Sequence, residues 1–193
     1  MRKILSLLII LLLLSCKSSF DKDSANVEIE VDNRKQDSLA IELIELFGSD
    51  QIARRNNRIF LGLDSINFKV LVNFVKKNGF PNEELLGKKY MKIEAVKAVS
   101  ASVLLHNPHR LVNEKEYLHL FLDEVEKGNM SREFLATVLD KYYWVRRDEY
   151  GNRKVLYGTQ FGKPCKKYRK ESDSVRAIIG LKPLPDSLFI DCK

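Results

Sequence analysis

The chain has 193 residues, 45% of them apolar, and carries 33 Lys and Arg against 26 Asp and Glu, for a formal charge of +7. This is one domain's worth of sequence with enough apolar material for a core, which excludes a disordered polymer. The 9 glycines are scattered and form no phosphate-cradling loop.

Residues 1 to 15 read as a signal peptide. Arg2 and Lys3 precede an apolar run from Ile4 to Leu14, and Leu13-Leu14-Ser15-Cys16 matches a lipobox. A bilayer-spanning helix needs about 20 apolar residues, and this run stops well short of that. The expected address is the bacterial cell envelope, with Cys16 carrying diacylglycerol and palmitate and the chain held on the outer membrane, on its periplasmic or surface side. Cleavage removes Arg2 and Lys3, so the mature charge falls to +5. Residues 16 to 35 follow as a flexible tether, polar and charged, with a reach on the order of 25 Å. Within it the alternation Val27, Ile29, Val31 suits a short edge strand.

From residue 36 to 193 the pattern is that of a single, mainly α domain of several helices. Leu39, Ile41, Leu43, Ile44 and Phe47 recur at helical spacing. Asp64 is placed to cap a helix through Ile66, Phe68, Leu71, Phe74 and Val75 that stops at Gly79 before Pro81. A central helix is expected over residues 90–105, apolar on most faces in its second half, with Pro108 ending it near His106. Asn113 with Glu116 has the form of a capping box, and Ser131 is placed to cap a further helix through Leu139. Tyr143 to Arg147 and Lys154 to Thr159, rich in aromatic and β-branched residues, flank a segment containing Gly151-Asn152, so one β-hairpin is expected near residues 143–159. A short helix near residues 173–179 stops at Gly180, and Pro183 and Pro185 introduce an extended tail.

Once Cys16 is lipidated, Cys165 and Cys192 are left, in an oxidising compartment where two thiols can pair. Sequence alone accommodates either a disulfide or two free thiols, because it does not give the separation of the two Cα atoms.

Several short motifs recur together. Asp50-Gln51 with Arg54, Asp64 with Asn67, Gly79-Phe80-Pro81 followed by Gly87, His106 closing an apolar helix, Asp140-Lys141, Tyr157-Gly158-Thr159-Gln160, and Arg176 before Gly180-Leu181 resemble the bacterial domain of unknown function (DUF) family 6624. The resemblance spans roughly Leu39 to Leu184. It departs from the family pattern at Phe80, where Trp is usual, at Leu105 and Asn107 around the histidine, and at Lys141, where Arg is usual and a planar fork becomes a point charge. It implies a fold and a set of pocket residues, and no reaction.

Those residues give a candidate pocket of Asp64, Asn67, His106, Tyr157, Thr159, Gln160 and Arg176, with Arg176 able to clamp a carboxylate or phosphate. The alternative for the same residues is a buried polar network fixing the hairpin on the helices. His106, His109 and His119 with Glu116 offer no convincing ligand set, so no metal and no cofactor is expected. No Gly-x-Ser-x-Gly elbow is present. The functional expectation is a lipid-anchored binding or interaction domain for an anionic ligand or an envelope protein, with no nucleic-acid partner; the alternative is a hydrolase with His106 as general base. The basic run Lys163, Lys166, Lys167, Arg169, Lys170, together with Arg146, Arg147, Arg153 and Lys154, could attract anionic headgroups or read simply as a solvated face.

Overall fold

The computed structural model describes residues 17–55 and 62–192. The signal peptide 1–15 and the lipidation site Cys16 lie outside the described residues. The chain divides into two compact units, 1–41 and 42–193. Among the described residues there are eight α-helices: α1 (Lys17–Arg55), α2 (Leu63–Asn78), α3 (Glu83–Tyr90), α4 (Glu94–His106), α5 (Pro108–Asn113), α6 (Lys115–Glu126), α7 (Arg132–Trp144) and α8 (Arg169–Ile178). None is long and apolar enough to cross a membrane.

Helix α1 begins at Lys17, so residues 17–35, read from sequence as a coil with a strand at Val27–Val31, are helical. No Gly or Pro interrupts the chain between Lys17 and Phe47, and nothing in the backbone chemistry stops a helix once it has begun.

In the second unit, α4 is the central element that its sequence predicts. It packs against α2 and α7, while the short α5 packs on α6 and α7. Phe68, Leu71, Phe74, Val99, Val103, Leu104, Leu111, Phe121, Leu135 and Leu139 fill the core between them. Burying one such side chain stabilises the fold by about 1.5–3 kcal/mol relative to leaving it exposed. Phe80 meets Phe121 edge to face, with ring centroids 6.4 Å apart. The turn that delivers Phe80 is pinned by the buried Glu124, whose carboxylate accepts from the Phe80 amide at 2.8 Å and from Asn129 Nδ2 at 2.9 Å. Gly79, at φ +89°, makes that turn possible.

The helix ends follow the sequence in part. Ser131 caps α7, its Oγ accepting from the Phe134 amide at 3.1 Å. Pro108 opens α5 at its first turn, where its missing N–H costs nothing. Asp64 lies inside the first turn of α2 and does not cap it; Gly62 stands at the N-cap. Asn113 closes α5 instead of opening α6, and it accepts a hydrogen bond from the Tyr142 hydroxyl at 3.3 Å.

The expected β-hairpin is absent from the described residues. Tyr143 and Trp144 continue α7, and the chain then makes a tight turn with a single antiparallel bridge between Arg147 and Arg153. The turn is organised by the Asp148 side chain, whose Oδ1 accepts from the amides of Tyr150 at 3.0 Å and Asn152 at 2.8 Å. The segment expected as the second strand finds its acceptor elsewhere. Asp140, fully buried on α7, takes the Leu156 and Tyr157 amides on Oδ1 at 2.8 and 3.0 Å, and the Thr159 amide and hydroxyl on Oδ2 at 3.1 and 3.0 Å. One carboxylate does for residues 156–159 what a neighbouring strand would have done.

At the C-terminus, Cys165 and Cys192 are joined by a disulfide with Cα atoms 5.6 Å apart. Beside it, Cys165 and Ile190 form a parallel bridge.

Candidate functional site

Four elements of the second unit converge on one polar cluster: the end of α1, the start of α2, the second half of α4 and the first turn of α5. Asp50 is its centre. Its side chain is shut off from solvent, and its carboxylate receives Ser102 Oγ at 2.5 Å, Gln51 Nε2 at 3.0 Å and His106 Nδ1 at 3.1 Å, with Arg54 Nη2 at 3.4 Å. Burial pushes this carboxyl upward, but the hydrogen bonds from His106 and Ser102, the charge of His106 and the bond from Arg54 outweigh it and hold Asp50 down at about 2. Asp50 is therefore ionised at neutral pH and can only accept, so the proton between it and the imidazole sits on His106 Nδ1 and leaves Nε2 as the free acceptor when the ring is neutral.

Arg54 bridges to Asp64 at 2.6 Å. Asn107 holds the same corner from behind, donating to the Asp64 carbonyl at 3.0 Å and the Val103 carbonyl at 2.9 Å. Asp50, Asp64 and His106 place ligand-type atoms within 4.8 Å of one another, a spacing a metal ion could use. The guanidinium of Arg54, in contact with both carboxylates, already supplies the positive charge there.

His106 and Asp64 line a cleft of about 320 Å³ whose walls also carry Leu105, Pro108, His109, Lys141, Tyr142, Val145 and Arg146. The size is at the lower end of small-molecule sites. The charges divide sensibly: Asp64 is neutralised by Arg54, whereas Lys141 and Arg146 come from α7 and its end to face the cleft with aromatic rings and a carbonyl as their neighbours. Lys141 Nζ lies 4.3 Å from the Trp144 ring centroid, and Arg146 donates to the Tyr142 carbonyl at 2.8 Å. A more apolar recess of about 450 Å³, lined by Glu45, Gly48, Ser49, Ile52 and Leu63, offers Glu45 as its single ionisable group.

The residues singled out from sequence thus separate. Asp64 and His106 share the cleft. Asn67 is buried behind it, its Oδ1 accepting from Ser49 Oγ at 2.9 Å while its Nδ2 has no partner among the described residues. Tyr157, Thr159 and Arg176 belong to the Asp140 network. Arg176 donates to the Lys182 carbonyl at 2.8 Å and to the Tyr157 carbonyl, so its guanidinium ties these two segments of the chain together. Burial raises the Tyr157 hydroxyl far above its ordinary range. Gln160 is exposed and outside the cleft. His109 lines the cleft; His119 does not.

The residues that complete the cluster, Asp50, Gln51, Arg54 and Lys141, are visible in sequence as members of the recurring motifs, but nothing there marks them as neighbours of His106. Ser102 carries no signal. No family model, curated protein or solved structure matches this chain.

Proposed function

We propose that this protein is an envelope lipoprotein, anchored through Cys16, whose helical domain binds a small anionic ligand in the His106 cleft. The observation that carries the reading is the pairing within one cleft of a histidine fixed from behind by a buried, ionised Asp50 with two cations, Lys141 and Arg146, that no carboxylate among the described residues neutralises. A carboxylate or phosphate entering it meets donors from both walls, and charge-assisted bonds of this kind are about twice as strong as neutral ones.

A second reading is favoured by the Asp50–His106 pair itself. An imidazole whose Nδ1 is held by a carboxylate presents Nε2 as a base, the arrangement a water-activating hydrolase needs. Both readings are tested on one protein. Inorganic phosphate titrated into the full chain should shift the His106 ring resonances, and Lys141→Ala or Arg146→Ala should weaken that binding by about tenfold. If phosphate and acetate both leave His106 undisturbed, the cleft is not an anion site. For the hydrolase, turnover of nitrophenyl phosphate or acetate should vanish in His106→Gln while the melting temperature holds. A variant that only melts earlier marks the cluster as structural.

A further inference from the structure

The end of α7 and the turn after it collect positive charge that no carboxylate among the described residues neutralises. Arg147 and Arg153 are the two residues of the one antiparallel bridge in this turn, directly opposite each other. Like charges so placed destabilise a pair, and a fold with no use for them would set an acid there. Arg146 stacks with its guanidinium carbon 3.4 Å from the Tyr142 ring centroid, and the Trp144 ring centroid has Arg153 at 3.8 Å and Lys141 at 4.3 Å. Lys141, Arg146, Arg147 and Arg153 form no ion pair with a carboxylate among the described residues. The arginines instead each give an N–H to a backbone carbonyl: Arg146 to Tyr142, Arg147 to Gly151 at 2.6 Å and Arg153 to Trp144 at 2.7 Å. Each keeps further N–H groups for an outside partner.

The contrast with the adjacent cations is informative. Lys154 is paired with Glu171 at 2.9 Å, Lys166 with Asp191 at 2.9 Å and Lys167 with Asp148 at 2.7 Å. Acids are available nearby and are used on those lysines, leaving Glu149 as the other acid of residues 141–153. Between these cations stand two exposed apolar side chains, Val145 and Tyr150, 55% and 62% accessible. Rings, a short apolar tip and stiffly braced arginines together match the region of a bilayer where phosphate headgroups give way to acyl chains.

We infer that this face docks on anionic phospholipid headgroups. The inference rests on the lipid-anchor reading, which holds the chain at a bilayer and so raises the effective headgroup concentration. The face shares Lys141, Val145 and Arg146 with the wall of the His106 cleft, so its test turns on Arg147, which does not line that cleft. The arginines contact phosphate oxygens, Tyr150 and Val145 reach just below them, and no bond is made or broken.

Trp144, the single tryptophan, lies inside the face and reports on it. The full acylated chain is placed on vesicles of phosphatidylcholine alone or of phosphatidylcholine with phosphatidylglycerol, each containing a headgroup-level fluorescence quencher. Quenching of Trp144 should be several-fold stronger on the anionic vesicles, fall with added salt and drop by about tenfold in apparent affinity in Arg147→Glu. That variant touches neither Trp144 nor the cleft and replaces a like-charge pair with an opposite one, so it should fold; Arg147→Ala serves as a second test. Equal quenching on both vesicles, or quenching that survives charge reversal, overturns the inference. Release by inorganic phosphate beyond that of chloride at equal ionic strength would assign the face to free phosphate and also overturn it. Failure of the anchor reading looks different: the chain would not sediment with pure phosphatidylcholine, while unacylated chain would still be recruited to anionic vesicles.

Discussion

Asp140 and Lys141 are consecutive residues of α7 that serve different sides of it. The Asp140 carboxylate is fully buried and holds the backbone of residues 156–159, while the Lys141 side chain lines the His106 cleft. A helix advances about 100° per residue, so a single step carries the chain from a structural anchor to a cleft wall.

This relationship separates stability from binding. Asp140→Ala strands three backbone amides and the Thr159 hydroxyl without an acceptor, and should destabilise the protein by about 3–5 kcal/mol. Asp140→Asn keeps one acceptor oxygen and should cost less. Lys141→Ala should cost under about 1 kcal/mol, the scale of its contact with Trp144, yet weaken anion binding in the cleft. Urea unfolding with an unchanged slope reads the first effect, and phosphate titration the second.

Gly158 sits at φ +69°, and a Cβ there would stand 2.7 Å from Leu184 Cδ1. Both the backbone conformation and the close packing exclude a side chain. Gly158→Ala should therefore lower stability by about 1–3 kcal/mol, and Leu184→Ala in the same background should recover part of the loss. A double-mutant cycle with no coupling between the two sites would contradict this account.

The acid limit of the fold is set in part by Asp50. Its folded value of about 2 lies below the ordinary 3.8, so the folded state binds its proton less readily than the unfolded chain does. The resulting stabilisation is fully present above about pH 4, declines as the pH falls and is gone below about pH 2. Its size is set by the shift, at about 2 kcal/mol. Denaturant midpoints measured from pH 6 down to pH 2 should fall more steeply in the parent protein than in Asp50→Asn. Parallel curves would mean that Asp50 is not held as described.

The helices are legible in the sequence because their apolar spacing, the Ser131 cap and the Gly79 and Gly180 stops all act locally. The hairpin is not, because Tyr143 and Trp144 have strand-like side chains but form the end of α7, and because the acceptor for residues 156–159 is a side chain sixteen or more positions upstream. Spacing rules contain no term for such a partner. Of the seven candidate pocket residues, two line one cleft. His106 and Asp64 do share a cleft, but the position of Arg176 depends on how the C-terminal segment returns across the fold, which periodicity does not encode.

The disulfide between Cys165 and Cys192 closes a covalent ring that includes α8 and the tail. A protease cutting once anywhere from Lys166 to Asp191 would sever the polypeptide without releasing a fragment. On a denaturing gel the damaged molecule would migrate in two pieces only after a reductant was added.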